Sequence, residues 1–362
     1  MKTSCTLVLA LAIVLSLGIA GCSSSPAPTN TTAPAISPPV STPLPASTAT
    51  GEISPLATPT QLPTALPSPT ATTETSPLPA PQTGQETPDF DGGSAYNFVL
   101  EQCALGLRAT GSKEGWATGD YLITQLESMG WQVVIHEFTY RDVKGRNIIG
   151  KLGSGPVAML GAHYDTRPYA DHNPEGQRDQ GIIGANDGGS GVAVLLELAR
   201  TLKVEKTGHE IWLVFFDAED RGNLDDWPFS VGASELANGL SQSALQELAQ
   251  IPEFLIVVDM VGDADQKLYY EGFSNPELNA RIWTLAHSLG YESAFIPSVK
   301  YQLIDDHRPF INIGIPAIDI IDFDYPYWHT TADTADKVEP ASLERVGRTL
   351  QVFLETGAGW QQ

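Results

Sequence analysis

Residues 157–200, VAMLGAHYDTRPYADHNPEGQRDQGIIGANDGGSGVAVLLELAR, constrain the fold more than any other stretch of the chain. The apolar run 157–162 has the length and composition of a strand buried on both faces, as in a parallel sheet. It ends in His163 and Asp165, one residue apart. A polar loop follows, and Asp187 then stands just before an apolar segment, about 188–202, that reads as a buried helix. Open α/β sheets bind ligands at the carboxyl ends of their strands, where His163 and Asp165 fall. The stretch therefore predicts a metal site on a strand–loop–helix unit, with further ligands arriving from strands later in the chain.

The remaining pattern supports such a sheet. Helices are expected at 94–110 and 115–130, the second with Leu122, Leu126 and Met129 on one stripe and a glycine stop. Residues 131–140 alternate and are rich in β-formers, and 147–152 follow as a strand. EIWLVFFDAEDRG (210–222) reads as a central strand that breaks into acids at its carboxyl end. FLIVVDMVG (254–262) and PAIDII (316–321) are two more strands. Helices are expected at 232–238, 241–250, 275–289 and 341–354, with Pro276 in the first turn of the third. There is no internal repeat. Strands alternating with helices predict a three-layer α/β/α domain with a central mixed, mostly parallel sheet over residues 89–362.

The chain before residue 89 has another character. Lys2, the apolar run 7–17 and Ile19-Ala20-Gly21-Cys22 form a secretory signal ending in what resembles a bacterial lipobox. Residues 1–21 are thus expected to be a lipoprotein signal peptide, with Cys22 lipid-modified. Residues 22–88, rich in Pro, Thr and Ser, cannot bury enough apolar area to offset their ordering entropy. They read as a disordered linker holding an exported domain away from the membrane of a bacterial cell envelope. The chain carries −23; Lys2 is the one base and Glu52, Glu74 and Glu86 the acids before residue 89, which leaves −21 for the domain. That balance excludes a nucleic-acid partner and a basic membrane-docking face. Cys103 is the domain's one cysteine, so no disulfide can form within it.

The residues able to carry chemistry recur at strand ends. Asp259 sits inside an apolar run, and a buried carboxylate costs several kcal/mol, in order of magnitude, unless it is paired or on a metal. Taken alone it fits a helix-capping acid equally well. Asp217, Glu219 and Asp220 follow the strand at 210–216, and His163 and Asp165 follow the one at 157–162. His329 lies in YWHTTADT, and alone reads as a packed residue; so do the other histidines, His307 least clearly. Nitrogen and oxygen donors without thiolates suit zinc in an open catalytic site. Ser190 among glycines is not a nucleophile elbow, because Val192 stands where glycine is required.

GAHYDTRPYAD (161–171), GANDGGSG (184–191), FFDAED (215–220), VVDMVG (257–262), DDHRPF (305–310) and YWHTTADT (327–334), in that order, resemble the zinc aminopeptidase/glutaminyl cyclase superfamily of zinc peptidases with a phosphorylase/hydrolase-like α/β fold. The resemblance implies Asp187, Asp220 and His329 as zinc ligands and Glu219 as general acid/base. In two-zinc aminopeptidases the positions of His163 and Asp259 complete a second site, with Asp187 bridging. In single-zinc cyclases the positions of Asp259 and Asp305 instead hydrogen-bond around the catalytic Glu. Asp165 would orient a ligand, His163 foremost.

The ligands fit both branches, while GAHYDTRPYAD, the segment through Trp227-Pro228, DDHRPF and Trp328-His329 look more like bacterial glutaminyl cyclases. Trp227 and Trp328 would then wall a pocket for a glutamine side chain, core packing being their alternative reading. Asp220 stands where many relatives have Glu, and Asp319 where animal cyclases have His. The resemblance implies cyclisation of N-terminal Gln on peptides or proteins to pyroglutamate with one zinc. The alternative is aminopeptidase activity with one or two zincs, two tightly held ions favouring hydrolysis. A catalytically silent binding module on this fold is a third reading, disfavoured because every ligand position is filled.

Overall fold

The computed structural model describes residues 89–356. The expected signal peptide (1–21), Cys22 and the linker (22–88) lie outside the described residues. In chain order the elements are α1 (Gly92–Leu105), α2 (Lys113–Ser128), β1 (Gln132–Tyr140), β2 (Val143–Gly153), β3 (Val157–His163), α3 (Gly189–Thr201), β4 (Glu210–Phe216), α4 (Val231–Ser241), β5 (Phe254–Asp259), β6 (Leu268–Glu271), α5 (Pro276–Ser288), β7 (Phe295–Tyr301), α6 (His307–Asn312), β8 (Ala317–Ile321) and α7 (Pro340–Glu355).

Six strands form one sheet in the order β1-β2-β4-β3-β5-β8. β1, β2 and β4 pair antiparallel, while β4, β3, β5 and β8 run parallel to their neighbours, so the sheet is mixed. The four parallel strands end on one edge, and the loops leaving that edge carry the candidate ligands. Alternation along the strands divides the core. Leu160, Leu213, Ile256 and Ile320 face a cluster with α1, α2, α3, α5 and α7. Met159, Val214, Leu255 and Ala317 face a smaller one with α4 and α6. The three-layer expectation is met. Among the described residues no helix is long and apolar enough to cross a membrane.

Local chemistry sets several boundaries. Ser112 caps α2 by accepting the N–H of Gly115. Asn275 caps α5 by accepting the N–H groups of Glu277 and Leu278, with Pro276 in the first turn. The helix expected at 241–250 is absent: α4 ends at Ser241, Ser243 turns into the left-handed region, and only Gln246–Leu248 form a 3-10 turn. Three elements were not anticipated. β6 and β7 make a small parallel pair, and α6 starts at His307, the last residue of the DDH triplet.

Candidate metal centre

The site is assembled from four strand-end loops and a helix start. His163 is the last residue of β3 and Asp259 the last of β5. Glu219 and Asp220 follow β4, Asp187 precedes α3, and His329 follows β8. Gly188 admits the close approach of α3 to β3, since a Cβ there would lie 2.2 Å from the carbonyl oxygen of His163. Ala218, Met260 and His329 itself hold left-handed backbone, at φ 61°, 44° and 57°. Such conformations cost about 1–3 kcal/mol each and re-aim the flanking side chains.

Asp187 is the hinge of the arrangement. Its Oδ1 lies 3.1 Å from His163 Nε2, and its Oδ2 lies 4.0 Å from His329 Nε2. His163 Nε2 is also 3.1 Å from Asp259 Oδ1, and His329 Nε2 is 3.0 Å from Asp220 Oδ1. Two adjoining buried donor sets result, His163/Asp187/Asp259 and Asp187/Asp220/His329, each with its donor atoms within 4.8 Å of one another. His163 Nδ1 donates to the Asp165 carbonyl at 3.1 Å, and His329 Nδ1, buried and without a hydrogen-bond partner, lies at ion-pair distance from Asp171 Oδ1, 3.4 Å. In both rings this leaves Nε2 as the donor to a metal.

The residues fit zinc. Asp187 Oδ2 is buried without a hydrogen-bond partner. Its separation from His329 is too long for a hydrogen bond and suits two ligands of one ion. The set offers imidazole nitrogen and carboxylate oxygen only, as open zinc sites do.

Charge follows from burial and proximity. Burial opposes ionisation of Asp187, but His163 and the His329 charge outweigh it and hold its carboxyl below the usual range. Burial, with Asp187 beside it, raises Asp220 to about 6. Burial raises Asp259 to about 7, with Asp305 and Asp187 adding to it. Burial and the charges of Asp305, Asp306 and Asp220 lift Glu219 well above the carboxylate range. Burial disfavours charged His329, yet Asp220 and Asp171 raise it to about 9.

The other anticipated residues fall as follows. The carboxylate of Asp165 accepts the backbone N–H of Glu219 and of Asp220, so it pins the loop carrying both and reaches His163 through its carbonyl. Glu219 accepts from Ser230 Oγ at 3.4 Å. Asp259 bonds to His163 rather than to Glu219, and Asp305 acts on Glu219 through charge. A cavity of about 250 Å³ opens over Glu219, walled by Phe229, Met260, Ile304, Phe323 and Trp328 and touched by Asp305. The Trp328 ring lies 3.9 Å from that of His329. Trp227 does not line this cavity; it is buried against Tyr140 and Phe138, and Phe229 stands at the wall instead. Ser190 is buried and donates to the Asn186 carbonyl.

Three contributors escaped the sequence reading. Asp171, held by Arg167 through contacts of 2.6 and 2.8 Å, backs His329. Ser230 touches Glu219. His307, buried, bonds Glu271 at 3.0 Å and lies 3.8 Å from Asp319. Asp171 lies within GAHYDTRPYAD and His307 within DDHRPF; nothing in the spacing marks Ser230.

A three-layer α/β/α domain that gathers imidazoles and carboxylates at its strand ends, beside a small cavity holding a buried Glu, defines a metal-dependent enzyme. The chain belongs to peptidase family M28, whose model matches residues 147–354. A Zn-dependent exopeptidase from Parabacteroides distasonis superposes with a TM-score of 0.68 at 32% identity, over 74% of this chain and 99% of that one. Porphyromonas gingivalis glutaminyl cyclase superposes with a TM-score of 0.68 at 34% identity, over 74% and 99%. In sequence, a mouse glutaminyl-peptide cyclotransferase-like protein is 25% identical over 280 residues, 68% of this chain and 71% of the relative. Donor chemistry and these likenesses together support zinc as the metal.

Proposed function

We propose that the protein is a glutaminyl-peptide cyclotransferase, converting the N-terminal Gln of peptides to pyroglutamate with release of ammonia. The observation that carries this reading is that Glu219, Asp305 and Trp328 face one small, largely apolar cavity. The indole and Phe323 suit the methylenes of a glutamine side chain, and the carboxylates suit its α-amino group. Bound by Asp187, Asp220 and His329, zinc supplies Lewis-acid polarisation of the side-chain amide carbonyl. Glu219, steadied by Ser230, accepts a proton from the α-amine as the bond from the α-nitrogen to the side-chain carbonyl carbon forms. It returns that proton to the side-chain nitrogen as the carbon–nitrogen bond breaks, so that one ammonia leaves per ring closed. A raised Glu219 suits a group that must take up and release a proton in one turnover.

One observation favours a second reading. Asp187 turns one oxygen to each donor set, an arrangement that also suits a two-zinc aminopeptidase. Incubating the zinc-loaded protein with Gln-initiated and Leu-initiated peptides and following mass separates the two. Loss of ammonia from the Gln peptide alone is expected; release of free N-terminal residues from either would overturn the cyclase reading.

We also propose that the enzyme is exported and tethered through lipid on Cys22, so that it meets peptide N-termini outside the cytoplasm. Metabolic labelling with a fatty-acid probe should mark the wild-type chain and leave Cys22→Ala unmarked. Equal labelling of both would rule the anchor out.

A further inference from the structure

A second cavity of about 260 Å³ adjoins the first and shares Phe229, Ile304 and Asp305 with it. It also includes Ser230, whose hydroxyl reaches Glu219. The reacting end of a substrate at Glu219 therefore sits where the two cavities meet. Their linings differ: beyond Ile304 the second is polar, with Ser234, Asn238, Arg308 and Asn312.

Arg308 stands apart from the domain's other arginines. Arg141, Arg146, Arg167, Arg200, Arg221, Arg281 and Arg348 pair with carboxylates, and Arg108, Arg178 and Arg345 donate to other oxygens. Among the described residues the Arg308 guanidinium has no oxygen partner. It lies over the Phe273 ring, 3.5 Å from the centroid, and is half-buried. Stacking fixes the guanidinium plane and leaves its N–H edge available for a bidentate partner. In a domain at −21, with Asp305 in this cavity's lining, an unpaired cation here offsets repulsion of an incoming anion.

We propose that this second cavity receives the residue following the substrate's N-terminal one, and that Arg308 selects for a carboxylate side chain there. The preferred substrates are then peptides beginning Gln-Glu or Gln-Asp. The inference rests on the site taking peptide N-termini, but not on what is done to them. Ile304, exposed between the two cavities, is the point the peptide backbone crosses.

The test uses the amidated peptides Gln-Glu-Leu, Gln-Gln-Leu and Gln-Lys-Leu with the zinc-loaded protein. Turnover is read as kcat/KM, and binding by calorimetry on Glu219→Gln, which retains the cavities. The Glu peptide should be favoured over the Lys peptide by about tenfold in both readouts, the scale of one partly exposed charge-assisted pair gained and one repulsion lost. Arg308→Ala should bring the peptides within about twofold of one another, and Arg308→Glu should reverse the order. Equal use of the three peptides by the wild type, or a preference that survives Arg308→Ala, overturns the proposal. A gain confined to Gln-Leu free acid over its amide would seat the chain-terminal carboxylate there and overturn the side-chain assignment. Binding that discriminates through Arg308 without cyclisation would uphold the subsite and sink the cyclase reading alone.

Discussion

Asp165 accepts the backbone N–H of Glu219 on its Oδ1 at 3.0 Å. Its Oδ2 accepts from Asp220 N at 3.1 Å and from Thr110 Oγ1 at 3.2 Å. One buried carboxylate thus sets the position of both the candidate general base and a ligand. Replacing it with alanine strands two buried N–H groups, which costs about 2–4 kcal/mol. Urea unfolding of Asp165→Ala should show a loss of that size together with lost turnover, and Asp165→Asn, which keeps one acceptor, should fall between. A loss below about 0.5 kcal/mol would show that the loop holds without it.

The site's protons predict how stability and zinc binding change with pH. Folded Asp220 and Asp259, at about 6 and about 7, hold protons that unfolded aspartates release near 4. Folded His329, at about 9, holds one that an unfolded histidine loses near 6.5. Between these limits the metal-free folded chain binds more protons than the unfolded one, so its stability falls as pH rises. Zinc requires those protons to leave, so the stabilisation it gives grows in the same direction. Thermal melts should show the metal-free Tm dropping from about pH 5.5 to about pH 8, and the zinc-induced gain in Tm rising over that span. A gain that shrinks with pH would contradict the ligand set.

Asp171 stands behind His329 and is gripped by Arg167. Removing such a carboxylate weakens metal binding by about 10–100-fold. Zinc competition against a chelator should show a loss of this order in Asp171→Asn, alongside a fall in thermal stability of the metal-free protein, because the buried Arg167 loses its carboxylate partner. Unaltered zinc affinity would mean that His329 needs no such partner.

The two tryptophans should separate cleanly. Trp328→Ala, at the cavity wall, should raise KM for Gln peptides while the fold survives. Trp227→Ala, in the core beside Tyr140, should cost about 3–5 kcal/mol and leave KM alone. The opposite assignment would move the pocket to Trp227.

Much of this was legible in the chain because burial leaves a plain signature. The runs at β3, β4 and β5 are apolar on both faces; β3 ends in His163, β5 in Asp259, and Asp220 follows four residues after β4, so the acids and imidazoles recur at one sheet edge. The parallel β6–β7 pair was not legible, because β6 has four residues and β7 is largely exposed, so neither shows a hydrophobic pattern. Residues 241–250 carry helix-like spacing, but the turn at Ser243 overrides it. Which aromatic of Trp227 and Phe229 meets the cavity depends on the left-handed backbone of Asn223, Asp225, Asp226 and Ser230 between and around them. Asp171 faces His329 only through the fold of a long loop, which no spacing rule describes.

The proposed activity depends on Asp187, Asp220 and His329 closing on one ion. The direct measurement is a crystal of the zinc-loaded protein and an anomalous difference map across the zinc absorption edge. The account predicts a peak bounded by those three side chains, whether or not His163 and Asp259 hold another. A fully loaded crystal with no peak among the three, or with its zinc bound elsewhere, would contradict it.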